Sequence, residues 1–177
     1  GDGSIEPFKG LTDPAVLRYW QPTVSNPISI PLIVEGGAGM DSMIGGLGAD
    51  DLTLAQGNDA AWGLAGADTY HLRPNSVLTV VDGSTDNTLD FGLADFGVTF
   101  NLNLTDGTEQ NVQPSTSTHY VAVNDLGTGT FPTLDGSRFA DTLTVSSTRA
   151  SSIYGDDGAD LIQATNLGAS LFVSGGA

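Results

Sequence analysis

Asp41, Asp50, Asp59 and Asp68 recur every nine residues within a run dominated by glycine. A nine-residue period fits neither a helix nor an isolated hairpin, and it restricts the chain to a stack of repeated turns. The two clearest copies read Gly36-Gly-Ala-Gly-Met-Asp41-Ser-Met-Ile44 and Gly45-Gly-Leu-Gly-Ala-Asp50-Asp-Leu-Thr53. They match the nonapeptide G-G-x-G-x-D-x-U-x, in which U is a large apolar residue. A third copy, Leu54-Ala-Gln-Gly57-Asn-Asp59-Ala-Ala-Trp62, loses its first two glycines. A fourth, Gly63-Leu-Ala-Gly66-Ala-Asp68-Thr-Tyr-His71, keeps Gly63 and Gly66. The U positions are Met43, Leu52, Ala61 and Tyr70. Ala61 is small, so Trp62 or a neighbour is expected to fill its space.

Each nonapeptide divides into about six turn residues and three strand residues, x-U-x, with U pointing inward. Two repeats make one coil, so turns on the same side lie about 18 residues apart. Adjacent parallel strands sit about 4.8 Å apart. A cation midway between two turns would lie about 2.4 Å from each, within the Ca–O range. The spacing therefore pairs Asp41 with Asp59 on one side and Asp50 with Asp68 on the other. Continued past Val77, the second row reaches Asp86. Glycine reaches φ > 0 and turns carbonyls toward the ion without a Cβ clash. Carboxylate and carbonyl oxygens together suit Ca²⁺, while Mg²⁺ demands a stricter octahedron.

The charge balance supports a hard cation. The chain has 21 acidic and 5 basic residues, net −16, and all the acids but Glu6, Glu35 and Glu109 are Asp. Such a field repels phosphate, which makes nucleic acid and anionic membranes poor partners. The absence of cysteine excludes disulfides and zinc–thiolate sites. No stretch approaches the roughly 20 apolar residues of a membrane span.

Four segments are expected. Residues 1–31 form an N-terminal cap or linker, with a helical turn near Thr12–Trp20 and Phe8, Tyr19 and Trp20 available to cover the open end. Pro22, Pro27 and Pro31 keep the following chain extended. Residues 32–91 are the repeat region, starting with a strand at Leu32–Val34. Residues 92–135 are longer β coils, with strands at Val98–Leu104 and Tyr120–Val123 and turns at Thr105–Gly107 and Asn124–Gly127. Residues 136–177 return to the repeat at Asp141 and Asp160, which are 19 residues apart, so one turn between them carries an insertion. The closing Ser174-Gly-Gly-Ala177 reads as the start of another repeat, which suggests a fragment of a longer protein.

These motifs resemble the RTX (repeats-in-toxin) family of haemolysin-type calcium-binding repeats, strongest across 36–71. The resemblance implies an all-β, right-handed parallel β-roll or β-helix solenoid with Ca²⁺ in its Gly/Asp turns. It also implies a secreted or cell-surface bacterial protein that folds on meeting extracellular calcium. The metal-site residues so expected are Gly37, Gly39, Asp41, Gly46, Gly48, Asp50, Gly57, Asp59, Gly66, Asp68, Asp86, Asp141, Gly158 and Asp160. No His-Glu-x-x-His or Gly-x-Ser-x-Gly motif occurs, so a structural rather than an enzymatic role is expected. Two alternatives stand beside it: a unit that self-associates through its coil ends in an adhesin, surface layer or filament, and the secretion module of an exported hydrolase.

Overall fold

The computed structural model describes residues 22–127, 131–146, 152–165 and 170–176. The expectations for Phe8 and Thr12–Trp20 lie outside the described residues. Residues 22–32 contain no strand, as their three prolines require. The chain then alternates strand and turn with no helix among the described residues. The strands are β1 (Ile33–Glu35), β2 (Ser42–Gly46), β3 (Asp51–Leu54), β4 (Ala60–Leu64), β5 (Thr69–Leu72), β6 (Val77–Val81), β7 (Thr88–Asp90) and β8 (Thr99–Asn101). They continue as β9 (Asp106–Asn111), β10 (Tyr120–Asn124), β11 (Thr133–Asp135), β12 (Thr142–Ser146), β13 (Ser152–Tyr154), β14 (Leu161–Thr165) and β15 (Phe172–Ser174).

One wall is a seven-stranded parallel sheet in the order β1-β3-β5-β7-β11-β13-β15. Each coil contributes one strand to it, making a β-solenoid of about seven turns. Its registered partners are Ile33, Asp51, Thr69, Thr88, Thr133, Ser152 and Phe172. Successive partners differ by 18, 18, 19, 45, 19 and 20 residues. The first two steps are the pure double nonapeptide. The third is longer by one because a residue is inserted before β6, where Ala60 pairs with Thr79.

The opposite wall is divided. Strands β2, β4, β6 and β10 stack in parallel, and β9 pairs antiparallel with β10 at the edge. A separate sheet, β8-β12-β14, continues the wall below. The division falls in the 45-residue coil between β7 and β11. That coil supplies β8 to one sheet and β10 to the other. Strand β9 corrects the expectation of a simple turn at Thr105–Gly107. Asp106–Asn111 carries no apolar alternation, and its ladder with β10 holds it as a strand.

The U positions behave as the period requires. Val34, Leu52, Tyr70, Leu89, Leu134 and Ile153 occupy one register row, and all except the end residue Val34 are fully buried. Facing them are Met43, Ala61 and Val80, then Phe100 and Leu143, with Ile162 partly buried. One continuous core thus runs through the repeats and the long coil. Trp62 does not fill the space beside Ala61. Strand alternation turns it to the other face, where it packs with Ala60 and Val81 and is flanked by Ile44, Leu64 and Leu126.

Candidate metal-binding turns

The ladder aspartates sit at the ends of the turns, and their carboxylates fold back over glycine. In Asp50, Asp59, Asp68, Asp141 and Asp160 the Oδ1 accepts a hydrogen bond from a backbone N–H one coil earlier. The bonds are Asp41 N to Asp59 (3.0 Å), Asp50 N to Asp68 (2.8 Å) and Asp141 N to Asp160 (3.0 Å). Asp50 Oδ1 accepts from Leu32 N at 2.8 Å, and Asp141 Oδ1 from Val98 N at 2.6 Å. Some Oδ2 atoms accept from within their own turn: Gly46 N to Asp50, Ala55 N to Asp59 and Ser137 N to Asp141. Asp is required because its short side chain reaches the backbone of the same and the adjacent turn together. The 18-residue pairing read from the spacing is thus present in both rows.

The remaining oxygens are unsatisfied. Asp41 Oδ2, Asp68 Oδ2 and Asp160 Oδ2 are buried and accept no hydrogen bond. A buried carboxylate oxygen without a donor is strongly disfavoured, which argues for a missing positive partner. The turns also bring carbonyls close. A β-carbon on Gly45 would lie 2.3 Å from Asp50 Oδ2 and 2.7 Å from the Gly63 carbonyl oxygen. One on Gly136 would lie 2.4 Å from Asp141 Oδ2 and 2.9 Å from the Gly155 carbonyl oxygen. Only glycine leaves room for carboxylate and carbonyl to share this space. Among the described residues no three His, Cys, Asp or Glu side chains form a metal-holding group. A cation between the turns would therefore draw on carboxylate and carbonyl oxygens together, a donor set that fits Ca²⁺.

Gly39, Gly57, Gly66 and Gly158 have φ of 128°, 128°, 127° and 135°. Gly48, at the same repeat position, is not in that region, and its turn packs against Ile30 and Pro31 of the incoming chain. Gly46 likewise lies against Ile28. Gly37 is left-handed at φ 89° and open.

Asp86 is displaced from the ladder. The residue inserted before β6 moves the register by one, and Asn87 rather than Asp86 accepts from Asp68 N, at 3.0 Å. Asp86 is exposed at φ 70°. The one signal in the sequence was the Arg73-Pro74-Asn75-Ser76 connector, whose proline interrupts the period. Asp82, also off the ladder, is buried and accepts from the Tyr70 hydroxyl at 2.5 Å.

Burial raises the carboxyls of Asp59 and Asp141, against the backbone N–H bonds that lower them. Burial also pushes Asp68 up to about 7, with the neighbouring Asp82 charge adding to the rise. On the outer face, His71 bridges three coils: its Nε2 lies 2.9 Å from Asp51 Oδ1 and its Nδ1 2.5 Å from Asp90 Oδ2. Next in that row is Asp135, pushed up to about 6 by burial and by Asp90 and Asp156, with its Oδ1 unpartnered. A carboxyl raised in the folded state favours folding when protonated, and that contribution is lost as pH rises from about 3.8 through about 6. Asp135→Asn is therefore expected to raise the melting temperature near pH 7. By about pH 4, where wild-type Asp135 is itself neutral, the two thermal scans should coincide.

No protein-family model matches the chain, and neither a curated protein nor a solved structure does. What the geometry defines is a class: an all-β parallel solenoid with Gly/Asp turns. No helix among the described residues is long and apolar enough to cross a membrane, which says nothing of β-barrels.

Proposed function

We propose that this chain is a calcium-binding structural module of a secreted or cell-surface bacterial protein, in the manner of the RTX repeats it resembles. The observation carrying this reading is the set of buried, unpartnered Oδ2 atoms of Asp41, Asp68 and Asp160, spread over both sides of the stack and each lying beside a turn glycine, Gly36, Gly63 or Gly155. Ca²⁺ supplies the charge these oxygens lack. Its role is mechanical: binding joins successive turns and rigidifies the stack outside the cell, where calcium is plentiful.

Titration calorimetry of the metal-free chain tests this directly. Calcium should bind at several sites, and magnesium should not replace it at equal concentration. Asp50→Ala should remove binding from the Asp50/Asp68 row while sparing the Asp41/Asp59 row. A chain that takes up no calcium at millimolar concentration is incompatible with the reading.

A further inference from the structure

The turn after β6 departs from the repeat in a compensated way. Trp62 pairs with Val81, which brings Asp82 to the level of Gly63, and Asn87 answers Asp68 across the coil. The ladder position thus carries a neutral amide, while the position that the turn above leaves as glycine carries a carboxylate. The charge has moved from one end of the turn to the other.

The moved carboxylate meets the unpartnered one. A β-carbon on Gly63 would lie 2.2 Å from Asp68 Oδ2, 2.3 Å from the Tyr70 hydroxyl and 2.4 Å from Asp82 Oδ2. Three oxygens therefore converge beside Gly63. Asp68 is 0% and Asp82 1% exposed. Asp68 Oδ1 is occupied by Asp50 N, and its Oδ2 has no donor. Asp82 Oδ1 accepts from the Ser84 N–H and hydroxyl, each at 2.7 Å, leaving Oδ2 to Tyr70. Asp82 also lies within hydrogen-bond reach of Asp68, and with both carboxyls ionised a single phenol proton cannot balance them. The donors are all oxygen, which suits a hard cation, and calcium accepts varied oxygen geometries where magnesium demands a strict octahedron.

We propose that Asp82, Asp68 and the Tyr70 hydroxyl form an off-ladder calcium site that closes the Asp50–Asp68 row where Asn87 interrupts it. The proposal rests on the calcium reading above, and the experiment separates the two. Calorimetric site counts are compared for the full chain, Asp82→Asn, Asp86→Asn and Asp82→Asn/Asn87→Asp, with circular dichroism in saturating calcium as the check on folding. Asp82→Asn should lose one site or weaken it at least about tenfold, and Asp86→Asn should match wild type. Returning the carboxylate to the ladder in the double variant should restore the count, which a purely structural role for Asp82 would not do. If Asp82→Asn alone fails to fold, the double variant and Asp86→Asn decide. An Asp82→Asn count equal to wild type overturns the proposal and leaves Asp68 and Asp82 sharing a proton instead. So does a loss that Asn87→Asp does not repair. Absence of all calcium binding in wild type defeats the underlying reading.

Discussion

Chelation of calcium is expected to abolish most of the β signal in far-ultraviolet circular dichroism, and readdition should restore it. The chain carries net −16, and its rows of carboxylates are stacked one coil apart through Asp41/Asp59, Asp50/Asp68 and Asp141/Asp160. Compaction therefore concentrates like charge in places where burial already raises Asp59, Asp68 and Asp141. Among the described residues no arginine or lysine offsets it there: Arg73 is engaged with Asp95, and Arg138 lies over Phe139. A site held at 100 times its dissociation constant contributes about 2.7 kcal/mol. Two or three such sites rival the roughly 5–15 kcal/mol by which a domain is normally folded. Removal should therefore act on the whole stack. An unchanged spectrum and unchanged melting temperature in excess EGTA would falsify calcium-coupled folding.

The period was the legible part of this chain. Because side chains alternate along a strand and x-U-x fixes which one points inward, Leu52, Tyr70, Leu143 and Ile162, each two residues after a ladder aspartate, could be placed facing the core from spacing alone. Strict spacing from Tyr70 reaches Thr88 instead of the buried Leu89. The pairing of Asp41 with Asp59 and Asp50 with Asp68 followed from the same arithmetic, and the 19-residue step from Asp141 to Asp160 is reproduced in the β12–β14 register. What could not be read was any event that changes the register. The residue inserted before β6 moves every later position by one and exchanges Asp86 for Asn87. The 45-residue coil is opaque for a different reason: its strands are set by contacts far apart in sequence, Tyr120 with Val77 and Thr99 with Thr142. Trp62 illustrates a third limit, since a short apolar run such as Ala60-Ala61-Trp62 does not reveal that both faces of the strand are buried.

Gly57→Ala is expected to be among the most destabilising single-methyl changes in the chain, and Gly39→Ala is its matched control. Both glycines have φ of 128°, a region essentially closed to L-residues, where strain of about 1–3 kcal/mol applies to either substitution. Their surroundings differ completely. A β-carbon at Gly39 meets nothing within 4 Å, whereas one at Gly57 falls 1.5 Å from the Gly39 carbonyl oxygen and 2.6 Å from its carbon. No rotamer relieves that contact, because both partners are backbone. The turns must separate, which strains the Gly39 N to Gln56 O bond (2.8 Å), the Gln56 N to Gly37 O bond (3.1 Å) and the Ala38–Gln56 bridge. Each such bond contributes about 1 kcal/mol, so Gly57→Ala should lose about 2 kcal/mol beyond Gly39→Ala in denaturant unfolding at saturating calcium. The difference between the two variants isolates turn-on-turn contact from backbone strain. Equal losses would mean that the turns are not held in contact at this level, and the inter-turn cation geometry would lose its support at the Asp41/Asp59 row.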